Sequence, residues 1–220
     1  FAEGAESENF KKHLDRVYDY LWLSDDGMKF QGYNGSQLWD TAFAAQAIAE
    51  SGLGDTVKDT MKKAYDYVDI SQVREDVDQL EKYHRHISKG GWPFSTRDHG
   101  WPISDCTAEG LKAILTLENL DFMKGKSISD QRFFDAVNVI LSMHNKGGGW
   151  ATYELTRTYP IVENLNPAAL YGEIMVDYPH TECTSACITA LTAFKNRYPN
   201  HRTAEINSAI KDGINVIKGK

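Results

Sequence analysis

Asp105 sits in the run Ser104-Asp105-Cys106-Thr107-Ala108-Glu109, at the head of a stretch of small residues. Two kinds of chemistry fit a carboxyl in that place. It can cap a helix by accepting backbone N–H bonds. It can also be an acid inside an apolar, aromatic cavity, where burial raises a carboxyl pKa and keeps the proton on at neutral pH. Trp92, Phe94 and Trp101 lie close by in the chain, and they suit a cavity and a core equally well. Cys183 and Cys187, spaced to share a helix face, could join Cys106 at a metal. The Cys-x3-Cys spacing has no second pair and no histidine ladder, so small buried thiols are the simpler reading. His84, His86, His99 and His180 have no ligand spacing and read as packed or surface histidines. No phosphate loop, nucleotide fingerprint or Ser-His-Asp arrangement occurs. Asn34-Gly35-Ser36 matches a glycosylation acceptor, which the cysteine usage makes a chance match.

The elements that must position these residues follow from periodicity. Phe10, Leu14, Val17, Tyr18 and Leu21 lie at offsets 0, 4, 7, 8 and 11. Val57, Met61, Ala64, Tyr65 and Val68 repeat those offsets, as do Ile206, Ile210, Gly213, Ile214 and Ile217. Phe133, Val137, Ile140 and Leu141 follow, with His144 in the fifth place. This predicts four helices with one apolar stripe each, half-buried. Between them lie three segments of small residues, Thr41-Ala42 to Ala47-Ile48, Thr107-Ala108 to Ala113-Ile114, and Thr184-Ser185 to Ala190-Leu191. They align without gaps and predict a closely packed inner layer. The connections Gly90-Gly91-Trp92-Pro93-Phe94 and Gly147-Gly148-Gly149-Trp150 each follow an outer helix and read as turns that staple the layers. The expected fold is all-α, a partial α/α barrel of alternating outer and inner helices, with little sheet. No linker stands out, so residues 1–220 read as one domain or part of one.

The chain has 220 residues, 41% hydrophobic and 25% charged, which excludes collagen-like and mostly disordered classes. A net charge of −7 without a basic block argues against nucleic acid as a partner. Three cysteines cannot build a disulfide framework and suit a reducing compartment. No apolar run is long enough to span a bilayer, and no signal peptide opens the chain. It reads as an internal piece of something longer, expected to be inactive and aggregation-prone by itself.

The motifs taken together carry a resemblance. The Asp-Cys-Thr-Ala-Glu run at 105–109 resembles the signature of the oxidosqualene cyclases, the sterol and triterpene synthases. The segments Asn34 to Phe43 and Tyr178 to Ala186 are similar to that family too, and the Gly-rich Trp turns resemble its repeated Gln-Trp motifs. The resemblance implies a longer two-domain helical enzyme, a terpenoid cyclase toroid, with this chain supplying about half of the catalytic barrel. It implies that Asp105 protonates the epoxide of 2,3-oxidosqualene, with Cys106 and Cys183 hydrogen-bonding the acid. Trp39, Phe94 and Tyr153 would be aromatics that stabilise the carbocations, each ring by about 2 kcal/mol, where about 1.4 kcal/mol is tenfold in rate. Ile174 would fall at a constriction of the substrate channel. Tyr33, His99 and Ile103 would determine the product, in the combination similar to cycloartenol-forming members, with lanosterol, parkeol and cucurbitadienol as alternatives. It further implies no cofactor and no metal, attachment of the whole enzyme to one membrane leaflet, and residence at the endoplasmic reticulum or on lipid droplets. His144 and Gly147 depart from the staple pattern, which should weaken that turn. A zinc prenyltransferase-like barrel using Asp105, a cysteine and a histidine, and a non-catalytic helical-repeat module, are the competing readings.

Overall fold

The structure is a computed structural model that describes residues 4–30, 35–167 and 172–219. Two compact units divide between Gly35 and Ser36. In the first, Ser7 caps α1 (Glu8–Arg16) by accepting the Phe10 N–H at 3.1 Å. A 3-10 turn then leads into an antiparallel hairpin of β1 (Leu21–Ser24) and β2 (Gly27–Phe30), with Ser24 paired to Gly27. This corrects the expectation of a half-buried helix reaching Leu21. The helix ends five residues earlier, no residue of it is buried, and Phe10 and Leu14 are 45% and 53% exposed. An amphipathic stripe holds a helix only where something packs on it. This unit offers a four-residue turn and a two-stranded hairpin, too little surface to bury a helix face. Asp25-Asp26-Gly27 supplies turn residues that favour the hairpin instead.

The second unit alternates as the repeats require. Its helices are α2 (Gln37–Glu50), α3 (Lys58–Ser71), α4 (Ser104–Glu118), α5 (Asp130–Ser142), α6 (Thr181–Arg197) and α7 (Thr203–Lys218). The three small-residue segments form α2, α4 and α6, with α4 packed between the other two. The stripes of α3 and α5 seat over the α2/α4 and α4/α6 seams, and α7 covers α6. This is an arc of an α/α barrel, all-α as expected. Most of α4 is buried, because it has inner neighbours on two sides and outer helices behind. In α2 only Leu38, Ala42 and Ala45 are buried, so this inner helix is less enclosed than its composition led us to expect.

Two Trp staples fix the layers. The Trp92 indole N–H donates to the Val68 carbonyl at the end of α3 (2.7 Å), and its backbone N–H donates to Thr107 Oγ1 in α4 (3.0 Å). Trp150 does the same one repeat later, with the Ile140 carbonyl of α5 (2.7 Å) and Thr184 Oγ1 of α6 (3.1 Å). The repeated threonines are therefore acceptors for the staple. Gly110 is small because a Cβ there would lie 2.6 Å from the Trp92 ring. At Gly90, with φ +100°, a Cβ would strike the backbone of Asp135 at 2.3 Å.

The first turn is tied further by Gln72. Its amide donates to the carbonyls of Gly90 (2.8 Å) and Arg132 (3.2 Å), and its oxygen accepts from Arg132 Nε (2.7 Å). At the second turn His144 stacks obliquely on Trp150 with ring centroids 4.7 Å apart. Its buried Nε2 has no hydrogen-bond partner among the described residues. The second staple thus lacks the cross-links that Gln72 supplies.

Candidate active site

The N-terminal ends of the three inner helices share one rim, because the same loops serve neighbouring ends. Leu38 and Trp39 at the start of α2 donate backbone N–H bonds to Ser95 (3.1 Å) and Phe94 (3.3 Å), while Ile103, before α4, donates to Trp92 (3.1 Å). Ser104 donates its N–H to Thr152 (2.9 Å) and its hydroxyl to Ala151 (2.6 Å), and His180, before α6, donates to Trp150 (2.9 Å). Chemistry-bearing side chains in the first turns of α2, α4 and α6 are thereby gathered at one edge of the inner layer.

Asp105 is the second residue of α4. Ile103 is the N-cap, and no side chain caps the helix, so the capping reading of Asp105 is corrected. Asp105 Oδ1 does accept a backbone N–H, from the adjacent Cys106 at 2.7 Å. Its Oδ2 accepts from the Cys183 thiol at 3.6 Å, across the seam between α4 and α6. The Cys106 thiol also bonds the carboxyl. The third thiol, Cys187, is turned away and donates to the Ser104 carbonyl at 3.6 Å.

Burial lifts the Asp105 pKa above its usual 3.8, and the bonds from Cys106 and Cys183 pull partly against that rise. The negative charge of Glu109, one turn along α4, pushes it up further. Burial and the neighbouring carboxyl also raise the thiols, Cys183 to about 12 and Cys106 higher still. Both therefore keep their S–H at physiological pH and act as donors. The arrangement is a carboxylic acid that holds its proton more firmly than a surface Asp, with an anion pre-stabilised by two thiol donors and the α4 N-terminus.

The expected aromatics occupy the same rim. Trp39 is half-buried, with its ring 5.8 Å from Phe94 and edge-on to Phe43 at 4.6 Å. Tyr153 meets the edge of Trp101 at 5.9 Å, and the Arg85 guanidinium lies 4.2 Å over the Trp101 ring. Trp92, in contrast, is wholly a staple inside the core. His99 lies in a short 3-10 turn, its pKa lowered by burial and by Arg85. Ile103 is 3% exposed at the head of α4. Ile174 is 54% exposed on the loop before α6, where Glu163 accepts the N–H of Val176 at 3.0 Å. Tyr33 lies outside the described residues. Asp105, Cys106 and Cys183 are thus in direct contact, and Trp39 pairs with Phe94.

Sequence reasoning assigned no role to Glu109 or Asp177. Glu109 is 3% exposed, accepts from Gln46 Nε2 at 2.8 Å and pairs with Lys112 at 2.7 Å. Its place four residues after Asp105 was the available signal. Asp177 accepts three successive backbone N–H groups, from Thr152 (3.0 Å), Tyr153 (2.6 Å) and Glu154 (3.1 Å). No spacing around Asp177 singles it out in the sequence. Among the described residues no cluster of three His, Cys, Asp or Glu could hold a metal ion.

The α/α arc thus carries a thiol-bonded acid at its inner rim. The family described as Squalene-hopene cyclase C-terminal domain matches residues 35–213, and the chain belongs to this family. Its match begins at Gly35, one residue before the second compact unit. The chain is 55% identical over 213 residues to a cycloartenol synthase of Dictyostelium discoideum, covering 96% of this chain and 30% of that protein. It is 48% identical over 220 residues to a lanosterol synthase of Pneumocystis carinii and 45% identical over 221 to a lanosterol synthase of Mus musculus. Those two alignments cover 99% and 100% of this chain, and again 30% of each relative. The chain spans about 30% of the length of the curated relatives it matches. The resemblance to oxidosqualene cyclases read from the motifs holds at the level of the family.

Proposed function

We propose that this chain is part of the catalytic barrel of an oxidosqualene cyclase, and that the whole enzyme closes (S)-2,3-oxidosqualene to cycloartenol. The observation that carries the reading is the Asp105 carboxyl, its pKa raised by burial, with Cys183 Sγ 3.6 Å from Oδ2. An epoxide oxygen is a weak base and needs an acid that is still protonated at neutral pH. It also needs an acid whose anion is tolerated once the proton leaves. Burial raises the Asp105 pKa toward the first need, and the thiol donors and the helix N-terminus serve the second. The ring opens as the proton arrives, leaving a cation that water would quench. Trp39, Phe94 and Tyr153 would present π faces to the successive cations. Ile103 and His99, with Tyr33, would steer the final deprotonation.

The cycloartenol product rests on Tyr33, His99 and Ile103, supported by the 55% identity to a cycloartenol synthase. Lanosterol is the second reading, favoured by relatives of that activity at 45–48% identity. No helix among the described residues is long and apolar enough to cross a membrane. We place the whole enzyme on the cytoplasmic face of the endoplasmic reticulum or on lipid droplets, where its lipid substrate partitions.

The test is incubation of the full-length enzyme with 2,3-oxidosqualene and identification of the product by gas chromatography–mass spectrometry. A 9,19-cyclopropyl sterol is expected. Lanosterol or parkeol would keep the acid and refute the product reading. No cyclised product from folded enzyme would refute the role of Asp105.

A further inference from the structure

Three consecutive N–H groups rarely converge on one side chain unless the backbone there must be held. Thr152, Tyr153 and Glu154 all donate to the Asp177 carboxylate, which fills the concave nest their backbone makes. The same loop is welded to the acid. The Ala151 and Thr152 carbonyls take both donors of Ser104, the residue before Asp105. Asp177 itself lies on the segment that enters α6, six residues before Cys183. Its own carbonyl accepts the Thr156 hydroxyl at 2.9 Å. The Asp177 side chain therefore ties the loop of Tyr153 to the segment that leads to Cys183, and Ser104 ties the same loop to the start of α4 beside Asp105.

The far side of the loop is pinned by two further acceptors. His86 Nε2 takes the Leu155 N–H at 3.2 Å and Asn145 Oδ1 takes the Thr156 N–H at 3.0 Å. Burial and the nearby Arg157 depress the His86 pKa, which suits a nitrogen that must stay unprotonated to accept. These outer contacts bind residues 155 and 156, beyond the tyrosine. The N–H of Tyr153 itself is held by Asp177.

We propose that Asp177 is a positioning residue for cyclisation: its carboxylate sets the backbone of residues 152–154, and through it the place of the Tyr153 ring relative to Asp105. The inference rests on the reading of the site as a cyclase centre. Asp177 touches no reacting atom in this account. Its effect passes through Tyr153, so the two residues must be energetically coupled.

The test uses the full-length enzyme in four forms: wild type, Asp177→Asn, Tyr153→Ala and the double variant. The readouts are kcat, KM and the product spectrum from 2,3-oxidosqualene. Asp177→Asn should lower kcat by about 10²-fold, the cost of a misplacement of about 1 Å, with KM changed less than about threefold. It should also raise the share of incompletely cyclised products. The double variant should be no worse than Tyr153→Ala within about threefold. Multiplying effects in the double variant would overturn the proposal. So would an Asp177→Asn enzyme with an altered melting temperature but unchanged kcat and products, or an altered product spectrum that Tyr153→Ala does not share. If Asp177→Asn does not fold, Asp177→Glu keeps the charge but displaces the carboxylate from the three N–H groups, and unchanged kcat and products there overturn the proposal. Failure of the cyclase reading would look different, because the wild-type enzyme itself would form no cyclised product.

Discussion

Removal of the Cys183 thiol tests whether this contact tunes the acid. In Cys183→Ala, Asp105 Oδ2 loses its bond across the α4/α6 seam. That bond favours the carboxylate, so its loss raises the Asp105 pKa above the already raised wild-type value. Bonds to charged groups are worth about 1.5–3 kcal/mol, but a thiol is a weak donor and 3.6 Å is a long contact. About 1 kcal/mol is the reasonable size, which corresponds to a shift of less than about one pH unit. A weaker acid transfers its proton less readily, and about 1 kcal/mol on the barrier is roughly a fivefold fall in kcat. With Asp105 as the proposed proton donor, turnover would need its protonated form, so the alkaline limb of the kcat–pH profile should move to higher pH while the plateau drops. Cys183→Ser keeps a donor and should recover part of the plateau. The assay is single-product turnover of the full-length enzyme across pH. An alkaline limb that stays in place or moves down would refute the tuning argument, whatever happened to the plateau.

Further outcomes follow from the same geometry. Asp105→Asn should abolish turnover yet stabilise the enzyme. A raised folded pKa means the folded state holds the proton more tightly, so the wild type loses stability as pH climbs from 3.8 through that raised value. The variant should therefore melt higher than wild type above that window and equally below pH 3.8, as checked by calorimetry at several pH values. Thr107→Val and Thr184→Val each leave a buried Trp N–H without its acceptor at nearly constant volume. Each should cost about 1–3 kcal/mol in denaturant titrations, and equal costs would mark the two staples as equivalent. His144→Gln should stabilise the second turn by about 1 kcal/mol, since glutamine in that place can form the cross-links Gln72 makes.

The alternation of layers was legible because it is written twice, once as apolar stripes and once as gapless Thr-Ala segments. Helical spacing decides which faces are buried wherever a partner surface exists. Residues 10–21 carried the same stripe and formed a shorter helix with a hairpin after it, because their unit supplies no such surface. Thr107 and Thr184 were visible as a repeat, but their role as acceptors for Trp92 and Trp150 was not. A hydrogen bond between residues 15 or 34 positions apart has no periodic trace.

The candidate site divides in the same way. The motif at 104–109 and the residues matching it could be named from sequence, since local order within one helix turn sets which side chains share its end. Sequence left Asp105 open between cap and acid. What supports the acid is burial and Cys183, 78 residues away, and only the packing of α4 on α6 brings that thiol within reach. Asp177 was silent for the same reason. Its partners are backbone N–H groups of a distant loop, which every residue type but proline offers alike, so only the fold decides which carboxylate meets them.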